Sequence, residues 1–294
     1  MIVVALLAAV YAVCYVAIKS GLWYAPPLEF AGLRAGIGGA VLMLLVGARD
    51  GKILLPVRFW RGVVTLAILG TTLGFGAMFL APGRTGAGIS SVLGNTGSLF
   101  LVVLGALFLG EPLERRKVEA LVLGTIGVTL LAIPAFGEPS LEGPPAALIP
   151  LAAALALAGS TVVLKRMDVG ECLGRVVAWQ LLLGSVPLFA LSWWIEGDSP
   201  VRWTAAFVGL LAFLATVGTA GAIWTWYWLV QREDVGRLGV LMFMVPLTGL
   251  FLAWYLFDEP IEGGTLAGAA LAVFAVARVG WPGTAAHIEG KSPA

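Results

Sequence analysis

The chain is poor in the side chains that most enzyme sites use. It has one histidine, His287, in a polar C-terminal tail, and two cysteines, Cys14 and Cys172, in or beside apolar runs. A nucleophile activated by a histidine inside an apolar segment is therefore excluded, and the cysteines indicate no disulfide framework. The sequence also lacks a glycine-rich phosphate-binding loop with its lysine, which excludes ATP-driven transport. These absences favour a protein that is not an enzyme and needs no cofactor.

Acidic residues are absent from the centres of the apolar runs. Those that adjoin the repeated proline turns are Glu111, Glu114, Asp258, Glu259 and Glu262. Paired intramembrane aspartates are thereby excluded, as are two facing carboxylate clusters that would hold a metal and a pyrophosphate. The apolar runs thus have no central carboxylate that could exchange a proton.

Apolar residues are what the chain has in abundance. They make up 60% of the 294 residues, and the mean hydropathy is +0.97. A soluble protein of this size has no means of burying so much apolar surface, so the surrounding solvent is lipid. The net charge of +1 gives no indication of a nucleic-acid partner. The partners expected are the bilayer and a small-molecule substrate, and a monomer and a homodimer are both compatible with the sequence.

Ten apolar segments are long enough to cross a membrane as helices. They are placed at about 1–20, 27–47, 59–80, 85–109, 117–134, 146–164, 172–195, 204–230, 236–257 and 262–280. The connections after every second segment carry 14 of the 18 lysines and arginines, the other connections carry three, and Arg34 lies inside the second segment. Because cytoplasmic loops are the basic ones, both termini are predicted to be cytoplasmic.

The sequence contains an internal repeat. Leu109–Gly110–Glu111–Pro112 ends one apolar run, and Phe257–Asp258–Glu259–Pro260 ends another 148 residues later. Arg34 and Gln180, each inside an apolar run, are 146 residues apart, which is nearly the spacing of the two turns. Each copy holds five segments, an odd number, so the second copy enters the membrane from the opposite side. The predicted fold is an all-α membrane protein of ten transmembrane helices in two inverted five-helix repeats, 1–135 and 146–281, followed by a polar cytoplasmic tail, 282–294.

These features resemble the drug/metabolite transporter superfamily, in particular its ten-helix EamA branch. The resemblance covers about residues 5–279 and is carried by Val16–Ala17–Ile18–Lys19, by Arg34 and by the paired proline turns. It implies a transporter of small polar metabolites, often an exporter of amino acids, with a central cavity formed by helices 1–4 and 6–9. It also implies residence in the bacterial inner membrane.

Candidate substrate-binding residues are polar or aromatic side chains within the apolar segments. They are Tyr11, Tyr15, Arg34, Phe75, Phe79, Asn95, Trp179, Gln180 and Trp224. The arginine suits a carboxylate, the amides suit polar substrate groups, and the aromatic faces suit apolar bodies or cations. Each has a structural alternative: Arg34 pairs with Glu29 or reaches the membrane surface, the amides join helices, and the aromatic pairs pack.

The sequence therefore predicts a secondary transporter that exports amino acids or related compounds by alternating access around a central cavity. Because no carboxylate lies at mid-membrane, we expect facilitated diffusion or exchange, with any proton coupling carried by Glu29, near the start of the second apolar run, or by the substrate. Export of organic cations is the alternative that uses the aromatic faces without needing Arg34. A structural membrane protein is a further alternative, but that role gives no reason for an inverted repeat.

Overall fold

The structure is a computed structural model, and it describes residues 2–85, 93–94, 96–132, 148–197, 200–248 and 263–280. Within these residues all regular structure is helical. The helices are α1 (Ile2–Gly21), α2 (Pro27–Asp50), α3 (Val57–Leu66, Ala67–Phe75 and Gly76–Thr85), α4 (Gly97–Leu109), α5 (Arg115–Ala132), α6 (Leu148–Arg166), α7 (Leu173–Ile195), α8 (Ala205–Ala215, Thr216–Gly221 and Ala222–Val230), α9 (Val235–Leu241) and α10 (Gly263–Gly280).

The prediction of an all-helical membrane protein is confirmed. Among the described residues, α1, α2, α3, α6, α7 and α8 are long and apolar enough to cross a membrane, and shorter apolar helices occur at Gly97–Leu109, Val235–Thr248 and Leu266–Arg278. Large apolar side chains cover the outside of the bundle: Trp193 and Trp194 are 76% and 80% exposed. Such a surface is stable only against lipid.

Proline and glycine set the helix ends. Pro26 precedes α2 and Pro27 is its first residue, a position where the missing N–H costs nothing. Gly51 and Gly110 end α2 and α4 with φ of 64° and 68°, the left-handed conformation that a helix-terminating residue needs and that glycine adopts without strain. The acid and proline after Gly110 therefore begin a turn, as the sequence predicts.

The described connections gather at two ends of the bundle. At one end, which we call the basic end, the loops after α2, α4, α6 and α8 meet: Arg175 Nη1 donates to the Leu54 carbonyl at 2.9 Å, Lys165 Nζ donates to the Glu233 carbonyl at 2.8 Å, and the Val235 N–H donates to Glu111 Oε1 at 2.8 Å. At the opposite end, the Arg202 N–H donates to the Tyr24 carbonyl at 2.7 Å. The four basic loops that the structure describes thus share one end.

Two helix pairs pack closely through glycine. A Cβ at Gly39 of α2 would lie 3.0 Å from Leu181 Cβ of α7, and a Cβ at Gly127 of α5 would lie 2.7 Å from the Gly268 carbonyl oxygen of α10. Small residues let helix backbones approach in lipid, where packing and not the hydrophobic effect drives association. Each pair joins helices at equivalent places in the two halves of the sequence.

Candidate substrate-binding cavity

A cavity of about 250 Å³ lies inside the bundle. Its described lining includes Tyr11, Cys14, Arg34, Gly70, Phe75, Ser98, Leu101, Ser160, Thr161, Gln180, Gly218, Trp226, Tyr227 and Met242. Among the lining residues that the structure describes, Arg34 is the one charged side chain and none is acidic. The cavity is just smaller than the roughly 300–1,000 Å³ typical of drug-sized ligands, which favours a small metabolite.

Arg34 of α2 is held at the cavity by α8. Its Nε donates to Thr219 Oγ1 at 2.5 Å and its Nη2 donates to the Gly218 carbonyl at 2.9 Å. The guanidinium also lies over Phe75 and Phe79, with Cζ 5.0 and 5.7 Å from the ring centroids. The residue is only 3% exposed, so these contacts, including the two cation–π interactions, replace water around a cation in an apolar interior.

Gln180 of α7 occupies the corresponding place in the second half. Its Nε2 donates to Thr71 Oγ1 of α3 at 3.2 Å, and the residue is 2% exposed. Its Oε1 is buried and has no hydrogen-bond partner among the described residues. Since an unsatisfied buried carbonyl is costly, this oxygen is available to accept a hydrogen bond from a donor in the cavity.

Both α3 and α8 contain a π-helical segment, at Ala67–Phe75 and Thr216–Gly221. Phe75 lies at the end of the first segment and Gly218 within the second, and both line the cavity. Trp226 and Tyr227, which follow the second segment, also line it, whereas Trp224 is 39% exposed. The four-residue spacing of Trp224 and Trp228 predicts that they share a face of α8, but it does not predict which face meets the cavity.

Four sequence-predicted residues line the cavity together: Tyr11, Arg34, Phe75 and Gln180. Phe79 lies beneath the Arg34 guanidinium and is fully buried.

Two further candidates, Trp179 and Glu29, lie near the two ends of the bundle. Trp179 packs against Trp60, with ring centroids 5.1 Å apart, and donates to the Ile53 carbonyl at the basic end. Glu29 lies at the opposite end, where its backbone N–H donates to the Glu196 carboxylate at 3.2 Å. Tyr15 is part of α1. Asn95 and the second proline turn, Phe257–Pro260, lie outside the described residues.

Sequence reasoning missed several polar residues at the cavity. Those in the lining are Cys14, Ser98, Ser160, Thr161, Trp226 and Tyr227. Thr71 and Thr219 lie behind the lining and accept from Gln180 and Arg34. Hydroxyl groups are common in membrane helices because they bond to the preceding turn, as Ser160 Oγ does to the Leu157 carbonyl at 2.8 Å. The hydroxyls that face a cavity are therefore not distinguishable by residue type.

The first proline turn lies at the basic end and caps α9. Glu111 Oε1 and Oε2 accept from the N–H groups of Val235 and Gly236 at 2.8 and 3.1 Å, and Asp234 Oδ1 accepts from the Arg237 N–H at 2.7 Å. These N–H groups have no partner within the helix, and they form the positive end of its dipole. A carboxylate from one half of the sequence thereby holds a helix of the other half.

Lysine and partial burial set the charges of this cap. Lys117 Nζ lies 2.6 Å from Asp234 Oδ2, with the two side chains 9% and 27% exposed. Desolvation opposes ionisation of Asp234, but the lysine and the Arg237 N–H outweigh it and hold the pKa of Asp234 below its ordinary value. Desolvation, reinforced by the neighbouring Asp234, raises the pKa of Glu111 despite its backbone hydrogen bonds.

A bundle of lipid-facing helices around a cavity with a few polar groups defines the protein as a membrane transporter, and its relatives agree. The sequence matches the EamA-like transporter family twice, over residues 1–133 and 144–281. The chain therefore belongs to the EamA-like transporter family, within the drug/metabolite transporter superfamily. Members of this family are transporters and not enzymes.

Two relatives and one solved structure show the extent of the similarity. An uncharacterized transporter of Bacillus subtilis, YvbV, is 30% identical over 89% of this chain and 85% of its own length. A probable amino-acid metabolite efflux pump of Salmonella typhimurium is 30% identical over 90% of this chain and 89% of its own length. A protein crystal structure that is 21% identical aligns with a TM-score of 0.77 over 94% of this chain and 93% of its own chain, and it supports the fold alone.

Proposed function

We propose that this protein is a secondary transporter that exports amino acids, in particular those with apolar or aromatic side chains, across the bacterial inner membrane. The observation that carries the proposal is the buried guanidinium of Arg34 at a cavity whose described lining has no acid. The positive charge favours a carboxylate and disfavours an organic cation. The neighbouring Phe75 and Trp226 offer contact to an apolar side chain.

The proposed arrangement is ten crossings in two inverted five-helix repeats, 1–135 and 146–281, with both termini in the cytoplasm. Two observations support it: the family match occurs twice in the chain, and the four basic loops that the structure describes share one end of the bundle. Alternating access then follows from the two repeats rocking about the central cavity. The relatives named as amino-acid metabolite efflux pumps support the direction of transport.

The test is flux into proteoliposomes that contain the purified full chain. Labelled phenylalanine, leucine, phenethylamine and tetraethylammonium are supplied with and without a pH gradient. We expect saturable flux of the two amino acids without a gradient, because the cavity's described lining has no carboxylate to exchange a proton. Flux of the two cations with none of the amino acids would contradict the proposal and favour a cation exporter.

Two variants connect the flux to the cavity. Arg34→Gln removes the guanidinium charge and is expected to abolish saturable amino-acid flux, while Lys19→Gln, which neutralises an exposed cation near the end of α1, leaves it unchanged. If flux proves to require the pH gradient, Glu29→Gln tests whether Glu29 carries the coupled proton. Equal flux in Arg34→Gln and wild type would show that the charge at the cavity is not used.

A further inference from the structure

Two side-chain hydrogen bonds cross between the two halves at equivalent positions. Arg34 Nε donates to Thr219 Oγ1, and Gln180 Nε2 donates to Thr71 Oγ1. Arg34 and Gln180 are 146 residues apart, and the two threonines are 148 apart. The donors in α2 and α7 thus follow the repeat, and so do the acceptors in α3 and α8.

Both threonines lie on π-helical turns. Thr71 is within Ala67–Phe75, and Thr219 is within Thr216–Gly221. Such turns are rare and are frequent at functional sites, since their widened hydrogen-bond pattern leaves backbone groups accessible to side chains. Here the Gly218 carbonyl of the second turn accepts from Arg34 Nη2 at 2.9 Å.

Backbone contacts fix the distance between each donor helix and its π-helical turn. A Cβ at Gly38 of α2 would lie 2.8 Å from the Ala215 carbonyl oxygen, and a Cβ at Gly184 of α7 would lie 2.8 Å from the Ala67 carbonyl oxygen. These glycines are also 146 residues apart. Each donor helix therefore contacts the backbone one turn before the threonine that accepts from it. This contact fixes the position of the threonine hydroxyl relative to the donor helix.

The donors held in this way are chemically different. Arg34 brings a positive charge to the cavity, whereas Gln180 brings a neutral amide whose buried Oε1 has no partner in the described part of the chain. A cation and a carbonyl acceptor at one small cavity match the carboxylate and the ammonium of a zwitterion. The two equivalent hydrogen bonds therefore hold two different binding groups, which we call poles: a cationic pole at Arg34 and an acceptor pole at Gln180.

We propose that Thr71 and Thr219 are positioning residues: Thr219 orients Arg34 toward the substrate carboxylate, and Thr71 orients Gln180 toward the substrate ammonium. This assignment rests on the proposed transport of amino acids. It adds a specific division of recognition between the two halves, in which each pole depends on a hydroxyl of the other half.

Valine and serine variants test this role in the same proteoliposomes. Valine keeps the shape of threonine and removes the hydroxyl, whereas serine keeps the hydroxyl. With labelled phenylalanine as the probe, Thr219→Val is expected to raise the half-saturation concentration roughly tenfold, the scale of one lost hydrogen bond to a charged group. The maximal rate should change less than the half-saturation concentration. Thr219→Ser should restore the wild-type half-saturation concentration.

Competing analogues separate the two poles. 3-Phenylpropionate has the carboxylate and no ammonium, so its inhibition should weaken in Thr219→Val and not in Thr71→Val. Phenethylamine has the ammonium and no carboxylate, so its inhibition should weaken in Thr71→Val and not in Thr219→Val. Matched controls are Thr216→Val and Thr65→Val, whose exposed hydroxyls on α8 and α3 donate to the Ala212 and Arg61 carbonyls of their own helices.

The outcomes distinguish the two proposals. A wild type that moves no amino acid overturns the proposed function and this assignment with it. Wild-type flux that neither valine variant alters overturns the positioning role alone. Equal weakening of both analogues by both variants, without rescue by serine, would show that the threonines only stabilise the bundle.

Discussion

Replacing Glu111 by glutamine is expected to loosen the first turn of α9. The Glu111 carboxylate accepts from two N–H groups, those of Val235 and Gly236. Glutamine has one carbonyl oxygen, and its amide NH₂ would face the second N–H. The variant therefore loses the charge on one hydrogen bond and loses the other bond entirely.

The size of the effect follows from these contacts. Hydrogen bonds to a charged group contribute about 1.5–3 kcal/mol, against about 0.5–1.5 kcal/mol for neutral ones, and an unpaired buried donor costs about 1–3 kcal/mol. Glu111 is only partly buried, so the lower part of these ranges applies. The expected loss is about 2 kcal/mol, which is roughly a 30-fold increase in the population of the open first turn.

Hydrogen exchange of the full chain in detergent, followed by mass spectrometry, measures this opening directly. The amides at the start of α9 should exchange roughly 30-fold faster in Glu111→Gln. The control is Glu114→Gln, which removes an exposed charge from the same turn. Unchanged exchange at Val235 and Gly236 would refute the inference that Glu111 holds α9.

Three further predictions concern packing, the cavity and pH. Gly38→Ala should lower the free energy of unfolding by about 1–3 kcal/mol, because the added methyl would lie 2.8 Å from a backbone carbonyl oxygen. Gly36→Ala is the control in thermal unfolding and should be tolerated, since its added methyl would lie 3.5 Å from the nearest atom. Trp226→Ala should reduce amino-acid flux in proteoliposomes, and Trp224→Ala should not, since only Trp226 lines the cavity. The lowered pKa of Asp234 means that its stabilisation is present above an aspartate's ordinary pKa and is lost as pH falls through the lower folded value. Asp234→Asn should therefore lower the unfolding temperature at pH 7, with the difference shrinking as the pH falls below the ordinary pKa of aspartate.

The sequence determined the helical architecture because a long apolar segment in lipid has to satisfy its own backbone hydrogen bonds. Length and hydropathy were sufficient to place long helices such as α2 and α7, and Gly110 with Glu111–Pro112 was sufficient to place a turn. The repeat in the sequence also singled out Arg34 and Gln180 as equivalent residues. Both lie at the cavity because a polar group inside an apolar helix has to face the protein interior.

The tertiary structure alone decided what those residues contact. Arg34 bonds to Thr219 and Gln180 bonds to Thr71, and no local pattern predicts which of many helical hydroxyls lies opposite. The same holds for the aromatic residues of α8: Trp226, and not Trp224, is among the described residues that line the cavity. Periodicity is a property of one helix, whereas a site depends on the phase and contacts of several. Composition and spacing therefore determined the class of this protein, and packing between its halves determined the candidate site.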